Sequence, residues 1–393
     1  MSSDGPESDR SRRLLVTGGR APGTLEMIRL LHRAGHTVFL AESFRFPISR
    51  GSRGCRKVFR VPPPRQALEA FLESVRELAV AESIEVILPT CEEIFHLARG
   101  RERFELGCDL FAAPWQVLRD LHSKKNFIDR VREAGLDAPE TVRVTEREEL
   151  VEAVRQRSGG CVVKPEFSRF ATRVLMNPLP EALGEIEIGS HRPWVVQERL
   201  EGKAHATWSV AHHGRVTAHG AYDIDFVAGG AAIHFSPLEH SGSRSWVETF
   251  VAATGFTGQI AFDFIDVPGR GPVAIECNPR LTSGIHLFGD DPGVCRAFFE
   301  PELSVRTPPT SRPSMLTIPM FLYGLPSVRS LGDLRRWSSI FLRGRDIVFR
   351  GSDPMPALLQ GLSLAELACL AVRTRRGLVA ASTWDIEYDG DED

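Results

Sequence analysis

Apolar and polar positions alternate at the start of the chain in a pattern that predicts a parallel α/β domain. Residues 13–17 are mostly apolar and lead into Gly18 and Gly19, which predict a buried strand that enters a tight turn. Residues 24–33 then carry apolar side chains at helical spacing, and residues 37–40 form a second short apolar run. Strand, turn, helix and strand in this order are typical of a parallel α/β fold.

A second pattern, over residues 258–280, predicts a β-hairpin. A mostly apolar strand over residues 259–267 meets the turn-forming residues 268–271, and a second strand follows from Pro272. Each of the two predicted strands carries a carboxylate, Asp263 in the first and Glu276 in the second.

The register of this hairpin can be counted outward from its turn. If Val267 faces Pro272, then Asp263 lies directly opposite Glu276. Asn278 shares the face of Glu276, because side chains alternate along a strand.

Two carboxylates that face each other across a hairpin repel, and this repulsion lowers stability. A divalent cation between them would remove the repulsion, and Mg²⁺ takes oxygen ligands from one or two carboxylates together with substrate phosphates. The pattern therefore predicts a metal–nucleotide site built from Asp263, Glu276 and Asn278. A solvent-facing polar edge on an ordinary hairpin is the alternative interpretation.

Two lysines lie at the predicted ends of elements ahead of the hairpin. Ser123 predicts the N-cap of a helix that begins with Lys124. Lys164 follows the apolar residues 161–163 of a short strand, where a buried ammonium is unfavourable unless it meets an anion.

Composition bounds the class of protein. The chain has 393 residues, 42% hydrophobic and 25% charged, which predicts a soluble protein of two or three domains. A net charge of -3 argues against nucleic acid or an anionic membrane as the main partner. Seven scattered cysteines without a C-x-x-C pair favour reduced thiols in the cytoplasm. No uninterrupted run of about 18 apolar residues is present, so we expect no membrane-spanning segment.

The end of the hairpin resembles a known family. The sequence IECNPR at residues 275–280, with Glu276 thirteen residues after Asp263, resembles the metal-binding end of the ATP-grasp superfamily. In those enzymes an acidic residue, followed by a Glu and an Asn two positions apart, holds one or two Mg²⁺ ions on the phosphates of ATP.

The resemblance implies a mixed α/β and α+β architecture. A Rossmann-like N-terminal (pre-ATP-grasp) domain would occupy residues 13–120, and an ATP-grasp domain whose antiparallel sheets clamp the nucleotide would occupy residues 121–300. A helix-rich C-terminal extension over residues 314–393 is expected to pack on the cleft, because its faces are too apolar for solvent.

The resemblance also implies roles for individual residues. Lys124 would lie on the α-phosphate side, and Lys164 between adenine and the phosphates. Arg280 would meet the γ-phosphate or the oxygens of an acyl phosphate, which makes Arg280 and Lys164 the catalytic candidates. The other nucleotide-binding candidates are Gln197, Glu198, Arg199, Leu200, Glu201 and Arg169.

Two features depart from the family pattern. The lid loop over residues 166–173 contains no glycine, so Arg169 and Arg173 would supply by charge what backbone N–H groups supply in most relatives. A lid that closes poorly, with slow or substrate-gated catalysis, is the alternative. The acid that binds the ribose hydroxyls in many relatives is replaced by Lys203-Ala204-His205, which leaves Glu201 or His205 as substitutes.

The acceptor side is predicted less sharply. Ser283 and Gly284 lie where related enzymes often hold substrate carboxylates, and His286 points toward the same end as a candidate base or a packed structural histidine. Asp223 would bind an amine or would be a solvated loop acid.

These features together predict an ATP-dependent carboxylate–amine ligase. ATP with Mg²⁺ (or Mn²⁺) would convert a small carboxylic acid into an acyl phosphate, and a small amine would then form an amide or peptide bond. Carboxylases or thiol ligases of the same superfamily, and a degenerate protein that only binds nucleotide, are the alternatives. A homodimer is a family-level expectation.

Overall fold

The computed structural model describes residues 10–104, 107–168, 173–228, 231–289, 291–309 and 312–390. Its strands form a five-stranded sheet, a four-stranded sheet, a seven-stranded sheet and a two-stranded ribbon.

The N-terminal part is built on the five-stranded sheet. Its strands are β1 (Arg13–Thr17), β2 (Thr37–Glu42), β3 (Cys55–Arg60), β4 (Val86–Leu88) and β5 (Asp109–Leu110), and they are parallel in the order β3-β2-β1-β4-β5. The helices are α1 (Pro22–Arg33), α2 (Leu68–Ala81), α3 (Glu93–Arg99) and α4 (Trp115–His122). Leu14, Leu15 and Val16 are fully buried, because a parallel sheet is covered on both faces. The prediction of a parallel α/β fold at the start of the chain is confirmed.

The four-stranded sheet is antiparallel and small. Its strands are β6 (Thr141–Val144), β7 (Cys161–Pro165), β8 (Leu175–Met176) and β9 (Trp194–Glu198), in the order β6-β9-β7-β8. Helices α5 (Lys124–Glu133), α6 (Arg147–Arg155) and α7 (Pro180–Gly184) accompany it. Leu150 of α6 packs with Val163, Trp194 and Val196 in a separate small core.

The seven-stranded sheet carries the hairpin. Its members are β10 (Lys203–His212), β11 (Arg215–Asp223), β14 (His234–Leu238), β15 (Gly258–Val267), β16 (Gly271–Asn278), β17 (Ser314–Met315) and β18 (Arg345–Asp346). Their order is β16-β15-β10-β11-β14-β17-β18. The ribbon consists of β12 (Val227–Ala228) and β13 (Ala231–Ala232), and α8 (Ser241–Thr254) precedes the hairpin.

Aromatic packing fixes which way the first hairpin strand faces. Phe262 and Phe264 of β15 are buried against Trp246 of α8, with ring centroids 5.0 and 5.1 Å from the indole. Because side chains alternate along a strand, Asp263 between them points to the opposite face of the sheet. The core thus presents this carboxylate to the cleft.

The C-terminal part contains short helices and one long one. They are α9 (Thr317–Pro319), α10 (Leu331–Arg343), α11 (Met355–Thr374) and α12 (Leu378–Ala381). Helix α11 is tied to the N-terminal part, since Glu366 accepts hydrogen bonds at 2.8 Å from the backbone N–H groups of Arg45 and Phe46. Helix α11 packs near residues 48–51. The packing of the extension on the cleft stays a prediction.

Helix α11 is also more apolar than the sequence criterion allowed for. Its mean hydropathy is 1.6 and only 17% of the most apolar stretch is buried, so by length and composition alone it is able to cross a membrane. The requirement of an uninterrupted apolar run missed it, because Glu366 and Arg373 interrupt the run. One such helix is weak evidence for a span, since core helices of soluble proteins pass the same test.

Candidate active site

The two carboxylates of the hairpin face each other across neighbouring strands, as the sequence predicts. Asp263 of β15 pairs directly with Glu276 of β16, and Ala261 pairs with Asn278. Burial, followed by the charge of Glu276, raises the pKa of Asp263 to about 7. The charges of Lys164, Arg280 and Lys124 offset part of this effect.

The turn of this hairpin differs from the predicted one. Val267 pairs with Gly271, so the predicted pairing of Val267 with Pro272 is wrong by one residue. The connection holds the three residues 268–270, because the second strand begins one position earlier than its proline suggests.

A β-bulge restores the predicted pairing of the acids. Phe264 pairs with Ala274 and Asp263 pairs with Glu276, so Ile275 is an extra residue in β16. The one-residue shift at the turn and the one-residue bulge cancel. Asp263 and Glu276 consequently pair in the predicted register, but the shorter turn and the bulge that lead to this pairing were not predicted.

Lys124 brings a buried ammonium to this pair. It is the first residue of α5, whose N-cap Ser123 accepts a hydrogen bond at 3.1 Å from the backbone N–H of Asn126, as predicted. Its Nζ lies 3.9 Å from Oε2 of Glu276 and donates to the carbonyl oxygen of Ser168 at 2.9 Å. Lys124 therefore joins the acidic pair to the start of the lid loop.

Lys164 is the second buried ammonium. Its Nζ donates to the carbonyl oxygen of Ile275 at 3.3 Å, and burial, the largest effect, lowers its pKa to about 8. The charges of Glu276 and Lys124 act on it in opposite directions. An anionic ligand beside Lys164 would favour its charged form.

Arg280 connects the hairpin to the N-terminal part. Its guanidinium donates to Oδ1 of Asn278 at 3.2 Å, and Nη2 lies 3.7 Å from Oε1 of the buried Glu92. Glu92 follows β4, at the carboxyl end of the parallel sheet, where α/β folds gather ligands.

The predicted adenine hinge lies at the end of β9. Gln197 is buried and donates to Oγ1 of Thr141 at 3.0 Å, and the carboxylate of Glu198 accepts from Arg270 at 2.9 Å. The Glu198 N–H donates to the Glu140 carbonyl at 2.7 Å and the Arg199 N–H to that of Gly160 at 3.3 Å. The side chains of Arg199 and Glu201 lie 3.6 Å apart in solvent. These two backbone N–H groups are therefore engaged within the protein, and donation from Leu200 to adenine stays a prediction.

His205 was one of the two predicted substitutes for the ribose-binding acid, and Arg169 was predicted to bind phosphate from the lid loop. His205 is buried and stacks between the rings of His240 and Phe264, at 4.5 and 5.1 Å, as a packed histidine does. Arg169 lies outside the described residues.

Beside Arg280 the structure contains a cavity of about 330 Å³. Ser283 and His286 line it, and their role on the acceptor side stays a prediction. Nδ1 of His286 lies 3.3 Å from Oε2 of Glu26, and burial lowers the pKa of the imidazole. Glu26 also binds Arg350 at 2.5 Å. This imidazole is thus part of a buried ion cluster.

The two remaining acceptor candidates are engaged elsewhere. Gly284 packs against Trp208, and a Cβ at this position would lie 2.3 Å from the Trp208 Cβ. Asp223 binds Nζ of Lys203 at 2.7 Å and does not line the cavity. Close packing therefore requires glycine at position 284. Asp223 forms an ion pair at the end of β11.

The donor set suits Mg²⁺ better than a soft metal. Two carboxylates and one amide oxygen are hard ligands, and Mg²⁺ completes its shell with water and phosphate oxygens. Among the described residues there is no group of three or more His, Cys, Asp or Glu side chains that could hold a metal ion by itself. Asp263, Glu276 and Asn278 fit a metal that arrives with a nucleotide.

No protein-family profile and no curated protein matches the chain. Solved structures match its fold. N5-carboxyaminoimidazole synthetase from Staphylococcus aureus is similar with a TM-score of 0.60 at 12% identity, over 79% of this chain and 84% of that one. The biotin carboxylase domain of the 2-oxoglutarate carboxylase from Hydrogenobacter thermophilus, solved with MgADP and bicarbonate, is similar with a TM-score of 0.60 at 16% identity, over 76% and 72%.

The L-amino acid ligase from Bacillus licheniformis is similar with a TM-score of 0.56 at 17% identity, over 71% of this chain and 69% of that one. At such identities the likeness establishes the fold and not the activity. The chain shares the fold of these solved structures, and this agrees with the fold that the resemblance of its hairpin implies.

Proposed function

We propose that the protein is an ATP-dependent ligase that joins a small carboxylic acid to a small amine and releases ADP and phosphate. The observation that carries this proposal is the convergence of unlike charges on the hairpin. Asp263 faces Glu276, Lys124 lies 3.9 Å from Glu276, and Arg280 binds Asn278. Phosphoryl transfer requires metal ligands and cations gathered in this way.

The first step consists of phosphoryl transfer to the acid. A carboxylate oxygen of the acid attacks the γ-phosphorus, the bond from that phosphorus to the bridging oxygen of ADP breaks, and ADP leaves. Asp263, Glu276 and Asn278 would hold Mg²⁺, which neutralises charge on the phosphates. Lys124 and Lys164 stabilise the charge that passes to ADP, and Arg280 orients the transferring group.

The second step forms the amide bond. The amine nitrogen attacks the acyl carbon, the bond from that carbon to the phosphate oxygen breaks, and the proton of the amine leaves with the phosphate. Mutual placement of two bound reactants supplies much of the acceleration, so no covalent nucleophile of the protein is needed.

A carboxylation is the second candidate, and the likeness to the biotin carboxylase domain solved with bicarbonate favours it. Bicarbonate would then take the place of the organic acid in the first step. The same residues would act on it, so the two candidates differ in the acid alone.

Release of ADP from Mg-ATP tests the proposal, with pooled small carboxylic acids and bicarbonate as acids and hydroxylamine in place of the unknown amine. Hydroxylamine converts an acyl phosphate into a coloured hydroxamate, so a ligase gives hydroxamate that requires the acid. The matched control is Glu276→Gln, which should abolish release.

The other outcomes point elsewhere. ADP release that depends on bicarbonate, without hydroxamate from any organic acid, indicates the carboxylation. ADP binding without release under any pool indicates a protein that only binds nucleotide. Failure to bind ATP or ADP contradicts the nucleotide site itself.

A further inference from the structure

The cavity beside Arg280 has walls from distant parts of the chain. One wall is the start of α1, a second is the end of β4, and a third follows the hairpin. A fourth wall is formed by Ala232 and Phe235 together with Leu316 and Ile347. The fifth wall comes from residues 382–388, which we call the C-terminal segment. This segment contributes Ser382, Thr383 and Ile386.

Arg20 anchors the C-terminal segment to the first sheet. Its guanidinium donates to Oδ2 of Asp385 at 2.9 Å, to the carbonyl oxygen of Ser382 at 3.0 Å and to Oε1 of Glu42 at 2.5 Å. These three charged side chains are almost fully buried. Breaking a buried ion pair by removing one partner is strongly destabilising, so the segment is held firmly over the cavity.

Tyr388 anchors the other end of the segment. Its backbone N–H donates to Oε2 of Glu92 at 3.2 Å, and its carbonyl oxygen lies 3.2 Å from Nε2 of His122. Its ring packs at 5.5 Å from Phe95 and 5.0 Å from Trp115. The residue that fixes Tyr388, Glu92, is itself part of the cavity wall.

The cavity has two chemically different ends. Arg280 and Glu92 place a guanidinium and a carboxylate 3.7 Å apart at the end beside the hairpin. The rest of the wall is mostly apolar, and its larger apolar side chains are Phe235, Leu281, Leu316, Ile347 and Ile386. Its volume of about 330 Å³ lies at the small end of ligand pockets.

We propose that this cavity binds a small zwitterion with an apolar side group, such as an apolar α-amino acid, and that the C-terminal segment determines which side group fits. The carboxylate of the ligand faces Arg280, where the proposed phosphoryl transfer takes place, and its ammonium faces Glu92. The side group lies against Ile386 and the apolar wall. This assignment rests on the proposed function, because it makes the amino acid the acid that is phosphorylated.

The test uses the full-length protein and three variants. Ile386→Ala enlarges the apolar end, and Thr383→Ile narrows it without removing a core side chain. Val379→Ala is the matched control, because Val379 is an exposed apolar residue of α12, close to the segment and outside the cavity wall. The probes are L-leucine, L-methionine, L-phenylalanine and L-glutamate.

Two readouts separate the inference from the proposed function. Calorimetry measures amino acid binding to the protein loaded with Mg-ADP, and the hydroxylamine assay measures turnover. We expect Ile386→Ala to raise the affinity for phenylalanine relative to that for leucine by about tenfold, which is the size of effect that a few methylenes have in a pocket. We expect Thr383→Ile to lower the same ratio. ADP affinity should stay within about twofold in every variant, because the nucleotide site is not changed.

The outcomes are decisive in both directions. Unchanged preference in both cavity variants, preferential binding of glutamate, or no amino acid binding at all overturns the inference, even where other acids give turnover. Binding of apolar amino acids that depends on residues 383 and 386, without ADP release, supports the binding site and overturns the proposed ligase.

Discussion

The ammonium of Lys164 donates a hydrogen bond at 3.3 Å to the carbonyl oxygen of Ile275, the extra residue of the β-bulge in β16. The bulge therefore serves two purposes at the site. It brings Asp263 opposite Glu276, and it turns a strand carbonyl away from the ladder to hold a buried lysine. The proposed metal ligands and the proposed phosphate-binding lysine therefore depend on one irregularity in the hairpin.

Lys164→Met should weaken ATP binding without unfolding the protein. Loss of a charged donor next to phosphate is expected to raise the KM for ATP by about ten- to a hundredfold. Stability should be equal or higher, because a buried charge is removed. Steady-state kinetics and thermal unfolding measure the two effects.

Lys203→Met is the control for that substitution. Lys203 is largely exposed and binds Asp223 away from the cavity. The same change there should leave the KM for ATP unaltered. Equal KM values for the wild type and Lys164→Met would contradict the proposed role of Lys164.

Glu276→Gln should stabilise the metal-free protein while it abolishes turnover. Removal of one of two facing carboxylates relieves repulsion of about 0.2–1 kcal/mol. Unfolding in EDTA should therefore occur at a higher temperature than for the wild type. Mg-ADP should raise the unfolding temperature of the wild type much more than that of the variant.

The control for that experiment is Glu248→Gln on α8. Glu248 forms an exposed i,i+4 ion pair with Arg244 at 2.9 Å, so its neutralisation should lower stability slightly. If Glu276→Gln raises stability and Glu248→Gln lowers it, the gain comes from relieved repulsion at the site and not from the loss of a carboxylate in general. Destabilisation of the EDTA-treated protein by Glu276→Gln would argue against the repulsive pair.

The protein should lose stability in mild acid through buried histidines. Burial lowers the pKa of His96, His205 and His219 to about 4, from an ordinary value of 6.5. The neutral form is the one that the fold favours, so this stability is fully present above about pH 6.5 and is lost as the pH falls toward 4. Each histidine contributes a slope of about 1.4 kcal/mol per pH unit within that window.

His205→Phe isolates one of these contributions. A phenyl ring can keep the stacking with Phe264 and carries no titrating group. Urea unfolding measures the free energy of unfolding at pH 7 and at pH 5. Between these two pH values the variant should lose less of it than the wild type, and the difference should equal the contribution of one titrating histidine. An identical loss of stability in the two proteins would show that folding leaves the pKa of His205 unchanged.

Gly284→Ala should destabilise the protein by about 1–3 kcal/mol, because the added Cβ would lie 2.3 Å from the Trp208 Cβ. Gly361→Ala is the matched control, since no atom lies within 4 Å of a Cβ at that exposed position of α11. It should stabilise by about 0.5–1 kcal/mol through helix propensity. Urea unfolding gives both values, and a neutral Gly284→Ala would contradict close packing there.

Local patterns in the sequence were sufficient for the parallel sheet, the hairpin and the cap of α5. These elements depend on alternation, turn residues and capping, which lie within a few positions of one another. The pairing of Asp263 with Glu276 was also predicted, although its route through a shorter turn and a bulge was not. A bulge depends on what the strand packs against, and no local pattern records that.

The cavity shows what the sequence did not reveal. Arg20 and Asp385 are separated by 365 positions, and His286 and Glu26 by 260. In the sequence, none of these residues can be distinguished from an ordinary surface charge or a packed histidine. Only the fold brings them together, so no local pattern in the sequence could predict the walls of the cavity.

The place of the C-terminal segment in the chain has a consequence for synthesis. Glu276 leaves the ribosome 110 residues before Ile386 does. The hairpin and both phosphate-side lysines can fold while the cavity still lacks one wall, because domains fold as they emerge. A nascent chain thus gains its proposed nucleotide site first, and the shape of the cavity beside Arg280 is the last property that translation delivers.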